Sequence, residues 1–170
     1  MENKMKNFIR GLGLIALFLS FLNGYSQVKA DTEKHVFPKG NLAPSQFFTG
    51  NAYVTGLIEN DSVFTTAGGE VFFEAGARSN WHLHPPGQIL IVTSGVGYHQ
   101  IKGQPIDVIR KGDVVKCPPD EDHWHGASKD SSMSHIYLVP NTEKGIVEWK
   151  DPVTDEEYLN PNRVEFGKNK

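Results

Sequence analysis

The sequence predicts an all-β domain, folded as an antiparallel sandwich or barrel. Short apolar runs follow one another through residues 47–140, and glycine and proline residues separate them. Many short strands at close spacing, broken by such turn residues, are typical of these folds. No segment before Asn141 has helical periodicity, apart from an apolar run near the N-terminus. The chain of 170 residues therefore fits one domain with extensions.

The turn residues divide the domain into nine predicted strands. Gly68-Gly69, Gly95 and Pro118-Pro119-Asp120 are among the dividing turns. The predicted strands are residues 52–57, 62–66, 70–74, 88–93, 96–101, 107–110, 113–116, 123–127 and 132–140. Residues 145–150 are interpreted as a final strand, and residues 155–159 as a short helical turn.

The first 30 residues have the pattern of a secretory signal peptide. Lys4, Lys6 and Arg10 form a basic opening, residues 11–22 contain no charge, and residues 23–27 are polar. Twelve residues are too few to span a bilayer as a helix. Residues 1–26 are therefore interpreted as a signal peptide, with cleavage as late as residue 30, and the protein is expected to be periplasmic or secreted. An uncleaved membrane anchor is the alternative.

Export predicts a shortened mature chain. Protein expressed with its own leader should lose about 26–30 residues, because signal peptidase cuts after small residues that follow the apolar run. Mass spectrometry of the purified protein measures this loss directly. An intact Met1 in a soluble cytosolic fraction would contradict the interpretation.

The charge of the mature chain excludes some classes of partner. Removal of residues 1–26 takes three basic residues and one acidic residue from 17 and 20, which leaves 14 and 19 and a net charge of −5. Nucleic acids and anionic membranes need a basic face, so neither is an expected partner, and no stable membrane association is expected after cleavage. The single cysteine, Cys117, rules out an intramolecular disulfide.

Composition also divides the mature chain into three parts. Residues 27–46 are interpreted as an N-terminal arm, because residues 31–45 are charged, contain prolines and have no clear period. Residues 47–150 form the predicted β domain, and residues 151–170 form a C-terminal tail. About 140 residues can bury a core without cross-links.

Five of the seven histidines lie in or near three predicted strands. His82 and His84 are two residues apart, as are His123 and His125. Residues i and i+2 of a strand face the same side, so each pair presents two imidazoles to one surface. Gln88 follows the sharp Pro85-Pro86-Gly87 turn and can return to the same place. Neutral imidazoles and an amide oxygen are suitable ligands for a divalent metal.

These residues resemble the two signatures of the cupin superfamily. The first signature reads Gly, five residues, His-x-His, three or four residues, Glu, six residues, Gly; this chain has Gly76, His82-Leu83-His84, Gln88 and Gly95 at those spacings. The second runs from Gly112 through Pro118 to His123, with Asp120 and Ala127 where Gly and Asn are usual. The resemblance implies a cupin jelly-roll barrel. Gln88 in place of Glu leaves the full charge of a divalent ion uncompensated, which makes the ion a stronger Lewis acid.

A narrower resemblance covers about residues 47–158. The segments 48–50, 73–88, 123–127 and 147–149, together with Met133 and His135, are similar to small bacterial cupins described as manganese-dependent hydroxynitrile lyases. The resemblance implies one divalent metal per chain, Mn(II) or else Fe(II), and a homo-oligomer, either a dimer or a tetramer. It also implies the metal ligands His82, His84, Gln88 and His123.

Other residues are expected to surround this metal. His125 shares a strand face with His123, and His135 enters the pocket if its face points inward; both match pocket histidines of that family and are the candidate acid/base residues. Val71, Phe73, Tyr137 and Val139 are candidate pocket residues, with plain core packing as the alternative for the first two. Cys117 is expected to be a buried, unreactive side chain.

The resemblance implies cleavage or formation of cyanohydrins, such as mandelonitrile from benzaldehyde and hydrogen cyanide, with the metal as Lewis acid. Because cupins support many reactions, two alternatives stay open. One is a Mn or Fe dioxygenase or isomerase that acts on a small organic molecule. The other is a non-catalytic periplasmic module that binds a small molecule.

Overall fold

A computed structural model describes residues 36–159 and the backbone of a short strand at Val164–Glu165. The predicted signal peptide and residues 27–35 of the predicted arm lie outside this part. No helix in the described part is long and apolar enough to cross a membrane.

The described chain is almost entirely β-structure, which confirms the predicted fold class. Its strands are β1 (Asn41–Leu42), β2 (Phe48–Thr49), β3 (Ala52–Ile58), β4 (Ala67–Phe73), β5 (Arg78–Ser79), β6 (His82–Leu83), β7 (Gln88–Ile101), β8 (Ile106–Arg110), β9 (Val114–Cys117), β10 (His123–Ala127), β11 (Met133–Val139), β12 (Glu148–Trp149) and β13 (Val164–Glu165). A 3₁₀ turn covers Thr142–Lys144, and helix α1 covers Asp155–Tyr158.

The strands form one strongly curled sheet with the order β1-β3-β4-β11-β7-β10-β5-β2 along its main path. The long strand β7 connects its two halves. The first half of β7 pairs with β11 and β9, and the second half pairs with β8 and β10. All of these pairings are antiparallel.

The first half of strand β7 alternates between a buried and a half-exposed face. Gln88, Leu90 and Val92 are buried, whereas Ile89 and Ile91 are partly exposed. Because successive side chains of a strand point to opposite faces, Gln88 points into the same interior as the apolar core. That core consists of Ala43, Ala52, Val71, Phe73, Ala77, Val92, Ile109, Ala127 and Met133.

The sequence predicted two strands where β7 is continuous. Gly95 lies between the predicted strands with a φ of +70°, and a Cβ there would meet the Ser132 carbonyl oxygen at 1.9 Å. Glycine adopts this backbone conformation at little cost. The chain therefore bends from one half of the sheet into the other without leaving the hydrogen-bonded ladder.

One predicted strand, residues 62–66, is wrong. Asp61 closes a turn there: its Oδ1 accepts hydrogen bonds from the backbone N–H groups of Val63 and Phe64, both at 2.7 Å. An aspartate that bonds its following backbone in this way competes with strand pairing. Val63 and Phe64 are consequently exposed.

Segments outside residues 47–150 also pack against the domain. Strand β1 pairs with β3, and Ala43 belongs to the core. On the other side, Val153 and Tyr158 pack with Trp81, Ile106 and Trp124 in a second cluster. The predicted helical turn is confirmed as α1, and its N-terminus is stabilised by a capping box between Thr154 and Glu157.

Arg78 fastens this C-terminal segment. Its guanidinium is buried and donates two hydrogen bonds to the Val153 carbonyl oxygen, at 2.9 and 3.1 Å. It also pairs with Asp155 at 2.6 Å and lies over the Tyr158 ring. These contacts hold the C-terminal segment against β5, which contains Arg78. Strand β5 pairs with β10, the strand that carries His123 and His125.

Candidate metal centre

Three buried histidines meet where β6 pairs with β10. His82 and His123 are direct cross-strand partners, with ring centroids 4.4 Å apart. His84 follows the end of β6, and its ring lies 5.2 Å from that of His82 and 5.6 Å from that of His123. The two-residue spacing brings His82 and His84 together, although only His82 lies in a strand.

Each of the three rings is oriented by a backbone carbonyl group. Nδ1 of His82 lies 2.9 Å from the Asn80 oxygen, Nδ1 of His123 lies 2.9 Å from the Glu121 oxygen, and Nδ1 of His84 contacts the Ile146 oxygen. A carbonyl oxygen only accepts, so each Nδ1 donates its hydrogen and each Nε2 keeps a lone pair. This arrangement is typical of metal-binding histidines, whose second nitrogen is fixed by an outer partner.

Gln88 supplies an amide at the same place. Its Oε1 lies 3.3 Å from Nε2 of His123, and both atoms are acceptors when Nδ1 of His123 holds the proton. Two ligand atoms on one transition metal are at most about 4.2 Å apart, twice a bond of ~2.1 Å. Nε2 of His84 is buried and has no hydrogen-bond partner. These nitrogen and oxygen atoms present lone pairs, so they can bind a cation. A divalent metal ion suits this combination of imidazole and amide ligands.

Burial keeps these imidazoles neutral. It lowers the pKa of His82 well below the ordinary value of 6.5, lowers that of His84, and lowers that of His123 to about 3. Removal from water disfavours the charged form, and the neighbouring histidines add repulsion for His82 and His123. Since only the neutral ring binds a metal, the site is ready for an ion at neutral pH.

One ring nitrogen from each of His82, His123 and His125 lies within 4.8 Å of the other two, and His84 does not belong to this group. By distance alone, His125 could therefore bind a metal together with His82 and His123. Its own hydrogen bond sets it apart, because its Nδ1 contacts a second imidazole rather than a carbonyl oxygen. The ligand set His82, His84, Gln88 and His123 stays a prediction.

His125 and His135 form a hydrogen-bonded pair. Nε2 of His135 lies 3.1 Å from Nδ1 of His125, so one of these nitrogens donates and the other accepts. Nε2 of His125 and Nδ1 of His135 are buried without a partner. Burial lowers the pKa of His125 well below its ordinary value and that of His135 to about 4. The pair is neutral and can accept a proton.

A cavity of about 280 Å³ opens in front of these groups. Val71, Tyr137 and Val139 line it, together with the pair His125 and His135. Phe73, which we expected in the lining, is fully buried behind that pair, with ring centroids 5.9 and 5.7 Å from the two imidazoles. Because Phe73 pairs with Met133 across β4 and β11, it belongs to the core beneath the cavity.

Much of the cavity wall was missed in the sequence. It comes from the predicted arm and from β2, β3 and the segment around β12: Ala43, Pro44, Phe47, Phe48, Val54, Ile146, Val147 and Trp149. Trp149 stacks on Phe47 at 4.6 Å and packs against His82 at 4.9 Å. Two short segments of the family resemblance, residues 48–50 and 147–149, were the available signal for this wall.

Cys117 and His99 lie behind the centre. Sγ of Cys117 is 3.4 Å from Nε2 of His99 and 3.9 Å from Oε1 of Gln88. Burial raises the pKa of the Cys117 thiol to about 12, so it holds its proton and is unreactive. Trp124 is fully buried and donates to Gln100 at 2.8 Å, as a packing residue does.

The buried neutral histidines predict acid sensitivity of the metal-free protein. The unfolded chain binds protons near pH 6.5, whereas folded His135 and His123 do so only near 4 and 3. The unfolded state therefore holds more protons below pH 6.5, and stability is lost as pH falls from 6.5 towards 3. Each such histidine contributes a slope of about 1.4 kcal/mol per pH unit.

Urea unfolding of chelator-treated protein at several pH values measures this slope. We expect the free energy of unfolding to fall by several kcal/mol between pH 7 and 5, and His135→Gln to make the slope shallower by one proton. Equal stability at pH 7 and pH 5 would show that these histidines are not buried in the neutral form.

Known proteins are similar to this chain in sequence and in fold. The cupin domain family model matches residues 69–139. The curated (R)-mandelonitrile lyase of Granulicella tundricola is 42% identical over 115 residues, which are 68% of this chain and 88% of that protein.

Solved structures of other proteins are also similar to this chain. A cupin-like protein from Thermotoga maritima is 45% identical with a TM-score of 0.73, and the match covers 77% of this chain and 98% of that one. A double-stranded β-helix protein from Klebsiella pneumoniae, 17% identical, shares the fold with a TM-score of 0.52 over 59% of this chain and 84% of its own. The jelly-roll prediction is thereby confirmed, and the three-histidine group makes the protein a metal-binding cupin. The chain belongs to the hydroxynitrile lyase-like family of cupins, which includes (R)-mandelonitrile lyase.

Proposed function

We propose that this protein cleaves and forms cyanohydrins, converting mandelonitrile to benzaldehyde and hydrogen cyanide in one direction. The observation that supports this most is the His125–His135 pair, a neutral acid/base couple placed beside a predicted metal site in one small cavity. The activity named for the 42% identical relative points to the same reaction.

The metal would be held by His82, His84, His123 and Gln88. We propose Mn(II), with Fe(II) as the second candidate. When bound, a divalent ion supplies Lewis acidity, which stabilises negative charge on the substrate oxygen. Three neutral histidines and a neutral amide contribute no negative charge, so they leave this Lewis acidity undiminished.

The histidine pair moves the proton. When Nδ1 of His125 donates to Nε2 of His135, Nε2 of His125 is a free base and takes the hydroxyl proton of the cyanohydrin. The carbon–carbon bond to the nitrile then breaks, and its electron pair leaves with cyanide. His125 returns the proton to cyanide, and benzaldehyde and hydrogen cyanide are released. His135 shares the positive charge of His125 through the 3.1 Å hydrogen bond.

The cavity suits a small aromatic substrate. Its volume, about 280 Å³, lies near the lower end of ligand pockets. The histidines and Gln88 form one polar end, and the remainder is mainly apolar, with Phe47, Phe48 and Trp149 among its side chains. An aromatic ring can pack in this apolar part while its polar group faces the histidines.

A sealed assay with mandelonitrile tests the proposal. Metal-loaded protein should release benzaldehyde and cyanide in equal amounts and consume no oxygen. Oxygen uptake with a substrate would instead indicate a dioxygenase. Binding of small aromatic molecules without any turnover would indicate a binding module. Either outcome would overturn the proposed reaction.

Gln88→Glu is an informative variant of the metal site. The carboxylate should hold a divalent ion at least as well as the amide does, but its negative charge offsets part of the charge of the ion. We expect full metal content and slower cyanide release than in the wild type. Faster release by Gln88→Glu, at equal metal content, would remove the argument from the uncompensated charge.

We further propose that the mature protein works outside the cytoplasm, in the periplasm or as a secreted protein, and as a homo-oligomer. The leader pattern of residues 1–26 supports export. Leu57, Ile58, Val63 and Phe64 are exposed apolar side chains at or after the end of β3, which a subunit interface would cover. Sedimentation of the purified protein tests the oligomer, and a monomer at micromolar concentration would contradict it.

A further inference from the structure

Tyr137 brings a hydroxyl-bearing side chain to the wall of the cavity. Apart from the histidines and Gln88, the described side chains that line the cavity are apolar, except for the hydroxyl of Tyr137 and the indole N–H of Trp149. Tyr137 lies two residues after His135 on β11, so both face the cavity. A polar group in such a wall normally serves to orient a ligand.

The register of three strands explains where this hydroxyl lies. One row across β11, β4 and β3 contains His135, Val71 and Val54. The next row contains Tyr137, Gly69 and Gly56. A Cβ on Gly69 would lie 2.7 Å from Cε1 and 2.8 Å from the hydroxyl oxygen of Tyr137. The tyrosine ring therefore occupies the space that a side chain at position 69 would need, one row away from His135.

The hydroxyl of Tyr137 is available to bind a ligand. No hydrogen bond joins it to a described residue, and the Tyr137 side chain is partly buried. Burial raises the pKa of Tyr137 above its ordinary value of 10, so the hydroxyl keeps its proton and is a donor. This hydroxyl is not one of the fully buried polar atoms that lack a partner, so either water or a bound ligand can supply its acceptor.

We propose that Tyr137 is a specificity-determining residue, whose O–H donates a hydrogen bond to an oxygen substituent on the ring of an aromatic substrate. The substrate class is then oxygen-substituted aromatic cyanohydrins and their aldehydes, with a hydroxy or alkoxy group on the ring. In this arrangement the polar, reacting end of the substrate faces the histidines. The oxygen substituent on its aromatic ring lies near the row of residues that contains Gly69. The inference rests on the proposed function for the reaction, whereas the binding preference is independent of it.

Binding of inert probes tests the inference. Calorimetry on metal-loaded protein compares 3- and 4-methoxybenzyl alcohol with the chlorobenzyl alcohols of the same pattern, which carry an apolar substituent at the same ring position but lack the oxygen acceptor. The wild type should bind at least one methoxy isomer roughly 2- to 13-fold tighter than its chloro partner, the range for one neutral hydrogen bond. Tyr137→Phe retains the ring, and its methoxy-to-chloro ratio should fall to about one.

Two glycine variants provide a matched control. A Cβ at Gly69 meets the Thr55 carbonyl oxygen at 2.6 Å as well as the Tyr137 ring and hydroxyl, whereas a Cβ at Gly56, in the same row, has nothing within 4 Å. Gly69→Ala should displace the hydroxyl and lower the ratio as Tyr137→Phe does, and Gly56→Ala should leave the ratio at the wild-type value. An equal ratio in the wild type and Tyr137→Phe overturns the inference, as does a wild-type ratio of one for both isomers.

The proposed reaction and this inference can fail separately. If the methoxy preference depends on Tyr137 but no cyanide is released from any cyanohydrin, the reaction is wrong and the specificity role holds. If mandelonitrile is cleaved but Tyr137→Phe has the wild-type ratio, the reaction holds and the specificity role is wrong.

Discussion

His125→Ala should retain its metal and lose turnover. A general acid/base contributes roughly 10²–10⁴-fold to a rate, so cyanide release from mandelonitrile should fall by that factor. The predicted ligands His82, His84 and His123 remain, each held by its own backbone carbonyl group. Metal analysis and an initial-rate assay on the same preparation measure both properties.

His135→Gln separates the roles of the two paired histidines. If His125 is the base and His135 only shares its charge, His135→Gln should lose less activity than His125→Ala. The opposite order would make His135 the base. Full activity of His125→Ala would remove this residue from the mechanism, and loss of its metal would make it a ligand, as its closeness to His82 and His123 allows.

His123→Ala should lose the metal itself. Substitution of an outer partner of a ligand already costs about 10–100-fold in metal affinity, so loss of a direct ligand should cost more. His125→Ala is the matched control, because it removes an equally buried imidazole two residues away on β10. Competition with a chelator, followed by metal analysis after dialysis, measures the affinity of both variants.

The double variant His82→Ala/His123→Ala is the stricter form of this test. It removes both cross-strand partners of the β6–β10 pairing, so the remaining His84 and Gln88 cannot retain an ion through dialysis. A full equivalent of Mn or Fe in the dialysed double variant would show that the metal binds elsewhere.

The all-β architecture and the grouping of the histidines were accessible from the sequence because both depend on local patterns. Alternation in β7 fixes which side Gln88 faces, and the two-residue spacings bring His82 to His84 and His123 to His125. The carbonyl partners of His82 and His123 are only two residues away, at Asn80 and Glu121. Interactions between residues close in sequence therefore determine much of the candidate metal centre.

The rest depends on contacts between distant residues. The Ile146 carbonyl that orients His84 is 62 residues away. Trp149 reaches His82 because β12 pairs with β6, a pairing that no periodicity predicts. Phe73 was a candidate for the cavity with core packing as the alternative, and the structure supports the alternative, because Phe73 belongs to the core cluster. Residues 62–66 form a turn instead of the predicted strand because the Asp61 side chain accepts hydrogen bonds from the following backbone. A pattern of apolar residues does not reveal such bonds.

Removal and return of the metal tests the central claim most directly. Protein stripped with a chelator is titrated with Mn(II), and cyanide release from mandelonitrile is measured at each step. We predict no release from the stripped protein, then a linear rise that ends at one equivalent per chain. Full cyanide release from protein without metal, or no release at any metal content, would contradict the account.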